Sequence, residues 1–166
     1  LTGKQNPVLI DGMKTKTALV SLAVLLLAGA VCLAANLQMG TWKLNEKKSK
    51  LGNGMAKNST VVYQSMVFQT KVTIDGTDPD GKPLHSEWNG KFDGKDYSVK
   101  GDRTSDMRSY RKIDDRTMEF TVKHHGKLVA SGRIVVAPDG KSRTVTATGT
   151  DPHGKKFKTI AVYNKA

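Results

Sequence analysis

Cysteine is almost missing from this chain: Cys32 is the single one in 166 residues. No disulfide framework can hold the fold, and no cysteine cluster can hold a metal. Aromatic residues are few, with 2 Trp, 4 Tyr and 4 Phe, so each one placed in a core carries weight. Acids are scarce against bases, 15 to 27, for a formal charge of +12. No apolar run reaches the ~20 residues of a membrane-spanning helix. No block of five like charges occurs, which argues against a charged unstructured tail. No serine or cysteine stands in a nucleophile elbow, and no glycine-rich loop opens a helix to cradle phosphate, so the commonest enzyme signatures are absent.

The N-terminal part differs from the rest. Met13 is followed by Lys14 and Lys16 and then by a mostly apolar stretch, Ala18 to Val31. A short basic segment, an apolar run of this length and small residues after it make a secretory signal peptide at 13–35. Cleavage is expected after Ala34 or Ala35, with residues 1–12 an upstream extension. The protein is then extracytoplasmic, periplasmic or secreted. Lipidation at Cys32 would need an aliphatic residue three positions before it and a small one directly before; Gly29, Ala30 and Val31 fit that poorly. Residues 36–166 remain as one domain of 131 residues, with 24 basic and 14 acidic side chains. A cysteine-free domain must be held by its core, and this length suffices to build one. Its basic charge is expected to serve solubility first, with weak contact to an anionic envelope surface second and no specific nucleic-acid partner.

Turn chemistry organises that domain. Asp80-Gly81-Lys82, Asp93-Gly94-Lys95, His125-Gly126-Lys127, Asp139-Gly140-Lys141 and His153-Gly154-Lys155 each separate runs rich in Val, Thr, Ile and aromatics. Glycine takes positive φ without steric cost and a preceding Asp bonds its own backbone, which predicts hairpin tips. Between them apolar residues alternate. Phe68, Thr70, Val72 and Ile74 share one face, as do Leu84, Ser86, Trp88, Gly90 and Phe92, and later Met118, Phe120 and Val122. Period-two alternation is the mark of half-buried antiparallel strands. About ten strands are predicted, with no helix beyond a loop or short helical turn in 45–58. Gly76–Lys82 and Gly149–Lys155 repeat one turn sequence, Gly-Thr-Asp-Pro-Asp/His-Gly-Lys, read as reuse of a good turn rather than duplication.

The inward faces mix bulk with small or hydroxyl residues: Trp88 with Ser86 and Gly90, Phe157 with Thr159 and Ala161. Such a mixture suits a closed barrel better than a sandwich. The expected fold is all-β, an antiparallel up-and-down barrel of about 8–10 strands. Gly40-Thr41-Trp42-Lys43-Leu44 resembles the first strand of the lipocalins and fatty-acid-binding proteins, and Ala161-Val162-Tyr163-Asn164-Lys165 resembles the last strand of the latter. The domain as a whole is similar to secreted bacterial lipocalin-like proteins. That resemblance implies a barrel whose base is plugged by Trp42 and whose interior takes a small ligand. Fatty-acid-binding proteins read Arg-x-Tyr in the last strand; here Tyr163 matches and Ala161 replaces the arginine.

Candidate chemistry elsewhere is thin. His124 and His125 are adjacent, so on a strand they would face opposite ways; His85 is placed outward and His153 at a tip. No zinc spacing occurs, and the acids around Asp78 lack the order of a calcium loop. Glu87 and Glu119 both fall on outward faces, so no catalytic carboxylate pair is expected. Arg108 and Tyr110 share a face by alternation. Turned inward, Arg108 would hold an acidic group; turned outward it would meet water, and alternation leaves both open. The expectation is a monomeric, non-enzymatic protein without a cofactor, binding a small apolar or amphipathic molecule. Trp88, Arg108, Tyr110, Phe68, Phe120, Phe157 and Tyr163 are the expected lining. The other reading is an envelope module that uses its basic face on anionic polymers or lipid headgroups.

Overall fold

A computed structural model describes Gly3 and residues 36–52, 55–151 and 154–166. The expected signal peptide and cleavage point, Cys32 and His153 lie outside the described residues. Ten antiparallel strands follow one another within the compact unit Ala35–Ala166: β1 Gly40–Leu44, β2 Lys57–Ser65, β3 Thr70–Thr77, β4 Pro83–Gly90, β5 Tyr97–Lys100, β6 Met107–Lys112, β7 Thr117–His124, β8 Lys127–Val136, β9 Ser142–Thr150 and β10 Lys156–Lys165. Each pairs with its neighbour in sequence. β1 also pairs with β10, Trp42 opposite Lys165, which closes the ring. The one helical element among the described residues is a 3₁₀ turn, Glu46–Lys48, capped by the Asn45 side chain.

The predicted tips are formed as their residues dictate. Gly81, Gly94, Gly126, Gly140 and Gly154 all have φ between +69° and +81°. Asp78 Oδ1 accepts from the Lys82 backbone N–H at 2.9 Å, and Asp151 Oδ1 accepts from that of Lys155 at 2.8 Å, so the two repeated turns share one wiring.

The barrel has a sealed end and an open end. Inward residues near the N-terminal entry are almost inaccessible, with Trp42, Met118 and Val136 at 0% exposure. Toward the other end, where β9 turns into β10, the inward residues Val122, Ala130, Ala147, Phe157 and Thr159 are only half-buried. Two glycines shape that open half. A Cβ on Gly132 would lie 2.1 Å from the Thr146 carbonyl oxygen and 2.7 Å from the Phe120 ring. One on Gly149 would lie 2.1 Å from the Val129 oxygen and 2.7 Å from the Phe157 ring. Each aromatic lies across the glycine it pairs with, a device that lets a strongly bent sheet keep its register.

Two expectations need correction. Phe68 is not in a strand: β2 and β3 are joined by a short reversal closed by the Met66 N–H donating to the Gln69 oxygen at 2.8 Å, and Phe68 stands at its apex, 83% exposed. Phe92 lies beyond the end of β4, yet its ring still stacks on Trp88 at 6.3 Å.

Gly132→Ala should lower the stability of the barrel by about 2 kcal/mol or more, because backbone on β9 rather than a pliable side chain blocks the new methyl. The shift of the urea midpoint checks it.

Candidate functional site: the barrel interior

The interior divides into a packed half and a hollow half. Trp88 is at the centre of the packed half. Its indole N–H donates to the Arg108 carbonyl oxygen at 2.8 Å, and its ring meets Tyr110 edge-on at 4.8 Å and Tyr97 edge-on at 5.7 Å. Trp88 is 1% exposed and does not reach the cavity; it supports Tyr110, which does.

The cavity, about 100 Å³, lies above the sealed end. Arg108, Tyr110, Phe120, Arg143 and Tyr163 line it, with Tyr63, Asn58 and aliphatic side chains of β2, β3, β7, β8 and β9. Four of the seven expected lining residues, Arg108, Tyr110, Phe120 and Tyr163, therefore come together. Phe157 faces inward but lies further toward the open end, across Gly149, and Phe68 is outside altogether.

Arg108 is turned inward and is 8% exposed. Its Nη2 stands 3.5 Å from Asp102 in the β5–β6 loop, and Asp102 also accepts from Ser105 Oγ at 2.6 Å and from the Thr104 backbone N–H at 2.8 Å. Burial alone would draw the Arg108 pKa down; Tyr110 and Asp102 outweigh it and the pKa is raised, so the guanidinium stays charged. Burial likewise opposes ionisation of Asp102, but Ser105, Thr104 and Arg108 together keep its carboxyl below the usual range.

The residue that alternation did not single out is Arg143. It is 2% exposed, and its guanidinium carbon lies 4.7 Å from the Trp42 ring centre, 4.9 Å from Tyr63 and 5.0 Å from Tyr163. Rings offer their negative faces to the cation but no lone pair. Nε and Nη1 of Arg143 have no hydrogen-bond acceptor among the described residues, and neither does Nε of Arg108. Trp42 itself is fixed by its indole N–H donating to the Gln38 oxygen at 2.9 Å, and Lys165 covers its ring at 5.0 Å. The Tyr163 hydroxyl donates to the Asn58 oxygen at 3.1 Å, tying β10 to the start of β2.

Among the described residues, the cavity lining has two guanidinium groups and three tyrosines and no carboxylate, histidine or nucleophilic hydroxyl of serine or threonine. Glu87 and Glu119 are outward, as their parity implied, bonded to Lys71 and to Arg111 and Arg133. His124 and His125 depart from the expected opposition: His125 leaves the strand at φ +50° and its ring comes to 4.0 Å from that of His124, beside Asp106. Among the described residues no group of three or more His, Cys, Asp or Glu could hold a metal ion.

No protein-family model and no curated protein matches this chain. Among solved structures the chain is similar to a redesigned β-barrel, mFAP1, bound to DFHBI, at 19% identity over 80% of this chain and 98% of that one, with a TM-score of 0.41. It is also similar to EF1p2_mFAP2b bound to DFHBI, at 12% identity over 80% and 97%, with a TM-score of 0.44.

Burial pushes the Tyr163 hydroxyl up to about 12 from an ordinary 10, with Arg143 opposing. Burial, and then Tyr110, drive Tyr63 upward as well. A pKa raised on folding means the native state keeps its proton after the unfolded chain has lost it, so this stability is whole below pH 10 and drains as pH rises toward 12. Phenolate absorbance followed against pH should show these two tyrosines silent at pH 10, and the urea midpoint should fall between pH 10 and 12.

Proposed function

We propose that this barrel is an exported, non-catalytic carrier or sensor of a small amphipathic molecule with an acidic head. The single observation behind it is the pair of buried guanidinium groups lining one cavity, in which Nε and Nη1 of Arg143 and Nε of Arg108 lack an acceptor among the described residues. A buried guanidinium N–H without an acceptor is costly, and an anion that supplies lone pairs relieves that cost. The enclosed volume is well under the roughly 300–1,000 Å³ that surrounds a drug-sized ligand. It suits a carboxylate head and its first carbons, with the apolar remainder lying along Phe120, Val122 and Phe157 toward the open end.

The lining argues for binding rather than turnover. A hydrolytic or acid–base reaction needs a group that gives or takes a proton near neutral pH, and guanidinium and buried phenol do neither. Export rests on the sequence from Met13 to Val31, whose basic start and apolar run fit a signal peptide.

A medium-chain fatty acid and the alcohol of equal chain length separate the acidic head from the tail. In a tryptophan-fluorescence titration the acid should bind at least tenfold more tightly than the alcohol. Arg143→Gln should reduce the acid's affinity by about 10- to 100-fold, the worth of a charge-assisted pair, and leave the alcohol's unchanged. Equal affinity for acid and alcohol in the unaltered protein contradicts the proposal.

A further inference from the structure

The two cavity arginines are not provided for alike. Arg143 is surrounded by rings, and its Nε and Nη1 lack an acceptor among the described residues. Arg108 has a carboxylate within reach: Asp102 Oδ2 stands 3.5 Å from its Nη2, and both side chains are 9% exposed. A buried acid beside one buried base and not the other needs a reason, because taking a carboxylate out of water is costly. The turn does not supply one. Shaping the β5–β6 loop takes a single oxygen, Oδ1, which accepts from the Thr104 backbone N–H and from Thr104 Oγ1 at 2.8 Å each. An asparagine would serve that turn equally. Oδ2 is the oxygen that meets Ser105 Oγ at 2.6 Å and Arg108.

The loop holds this carboxylate in place. Gly101, at φ +80°, lies so close to β4 that a Cβ on it would stand 2.2 Å from the His85 carbonyl oxygen. Across the loop the Val99 N–H donates to the Asp106 oxygen at 2.8 Å, and the Asp106 N–H donates to the Lys123 oxygen at 3.1 Å. Ser105 is 1% exposed. Burial opposes the ionisation of Asp102, but its donors keep the carboxyl below the usual range, so it is charged near neutral pH. Asp102 does not line the cavity, whereas Arg108 does, so it reaches a ligand through charge and not through contact. Two buried cations and one buried anion leave one positive charge without a counter-charge among the described residues. A ligand with one negative charge completes the set. A ligand with two leaves a surplus negative charge away from water, at a cost that rises as the local dielectric falls.

We propose that Asp102 sets the charge of the ligand: by answering Arg108 from the β5–β6 loop, it restricts the cavity to amphiphiles whose head carries a single negative charge. Carboxylates and sulfate esters are taken, and dianionic heads such as a phosphate monoester are turned away. Charge, not head shape, is the selector. This rests on the reading of the interior as an acid-binding site and names which acids enter it.

Octyl sulfate and octyl phosphate share a tail and a tetrahedral head but differ in charge, since a phosphate monoester loses its second proton near pH ~6. Calorimetric titration of the full chain at about pH 8.5 should show the sulfate binding at least tenfold more tightly than the phosphate. At roughly pH 5, where the phosphate is a monoanion, that gap should close, and octyl sulfate reports any change in the protein itself. Asp102→Asn should raise the affinity for the phosphate by about tenfold relative to the sulfate at the higher pH. The pH comparison needs no variant, so a failure of Asp102→Asn to fold leaves the test intact. The proposal is overturned if the two bind equally at the higher pH, or if the gap persists at low pH or in Asp102→Asn. It is also overturned if octanoate binds and octyl sulfate does not, since shape would then be the selector. Those three results leave the acid-binding reading standing. If neither octanoate nor octyl sulfate binds more tightly than octanol, that reading falls and the proposal with it.

Discussion

Arg143 is the constraint around which the interior is arranged. Its guanidinium is buried against Trp42, Tyr63 and Tyr163, three rings brought from β1, β2 and β10. A charge in such a place costs several kcal/mol in lost hydration. Each ring returns on the order of 0.5–2 kcal/mol. The rings hold the cation in position while its Nε and Nη1 have no acceptor among the described residues, beside the cavity that Arg143 lines. The same arrangement therefore seals one end of the barrel and charges the space above it. Closure of the ring is a precondition: Arg143 on β9 is opposite Tyr163 on β10, and β10 reaches Trp42 only because it pairs with β1.

The rest of the barrel follows from managing that interior. Trp88, Tyr110, Phe92 and Tyr97 fill the β4–β6 side with edge-on and stacked rings, a solid wall that holds Tyr110 and, through the Arg108 carbonyl, the strand carrying the second guanidinium. Opposite, Gly132 and Gly149 let Phe120 and Phe157 lie flat across the sheet, so the β7–β10 side stays shallow and open. Bulk on one side and glycine on the other place the hollow asymmetrically, and the two arginines border it.

Much of the fold was legible because its signals are local. Asp-Gly-Lys tips announce their own backbone geometry, and alternation in β4 and β7 names the inward face without reference to any partner strand. Phe68 was misplaced for a related reason: alternation running back from Ile74 through Val72 and Thr70 continues smoothly into it, and a reversal made of Val and Phe carries no turn chemistry to interrupt the pattern. Arg143 was missed because a charge in a threonine-rich strand is ordinarily turned to water. Its parity with Val145, Ala147 and Gly149 was available, but only the cross-strand register brings three aromatic rings to it. Arg108 was caught between two readings for the same reason, and its loop partner Asp102 tips it inward.

The central claim is that the buried guanidinium of Arg143 is completed by a ligand's acidic group. The most direct measurement is the side-chain Nε–Hε resonance of Arg143 in a ¹⁵N–¹H spectrum as a medium-chain carboxylate is added. The account predicts that this resonance moves strongly downfield in proton shift and becomes protected from exchange as the complex forms. A carboxylate that binds while the Arg143 resonance stays where it was would contradict it.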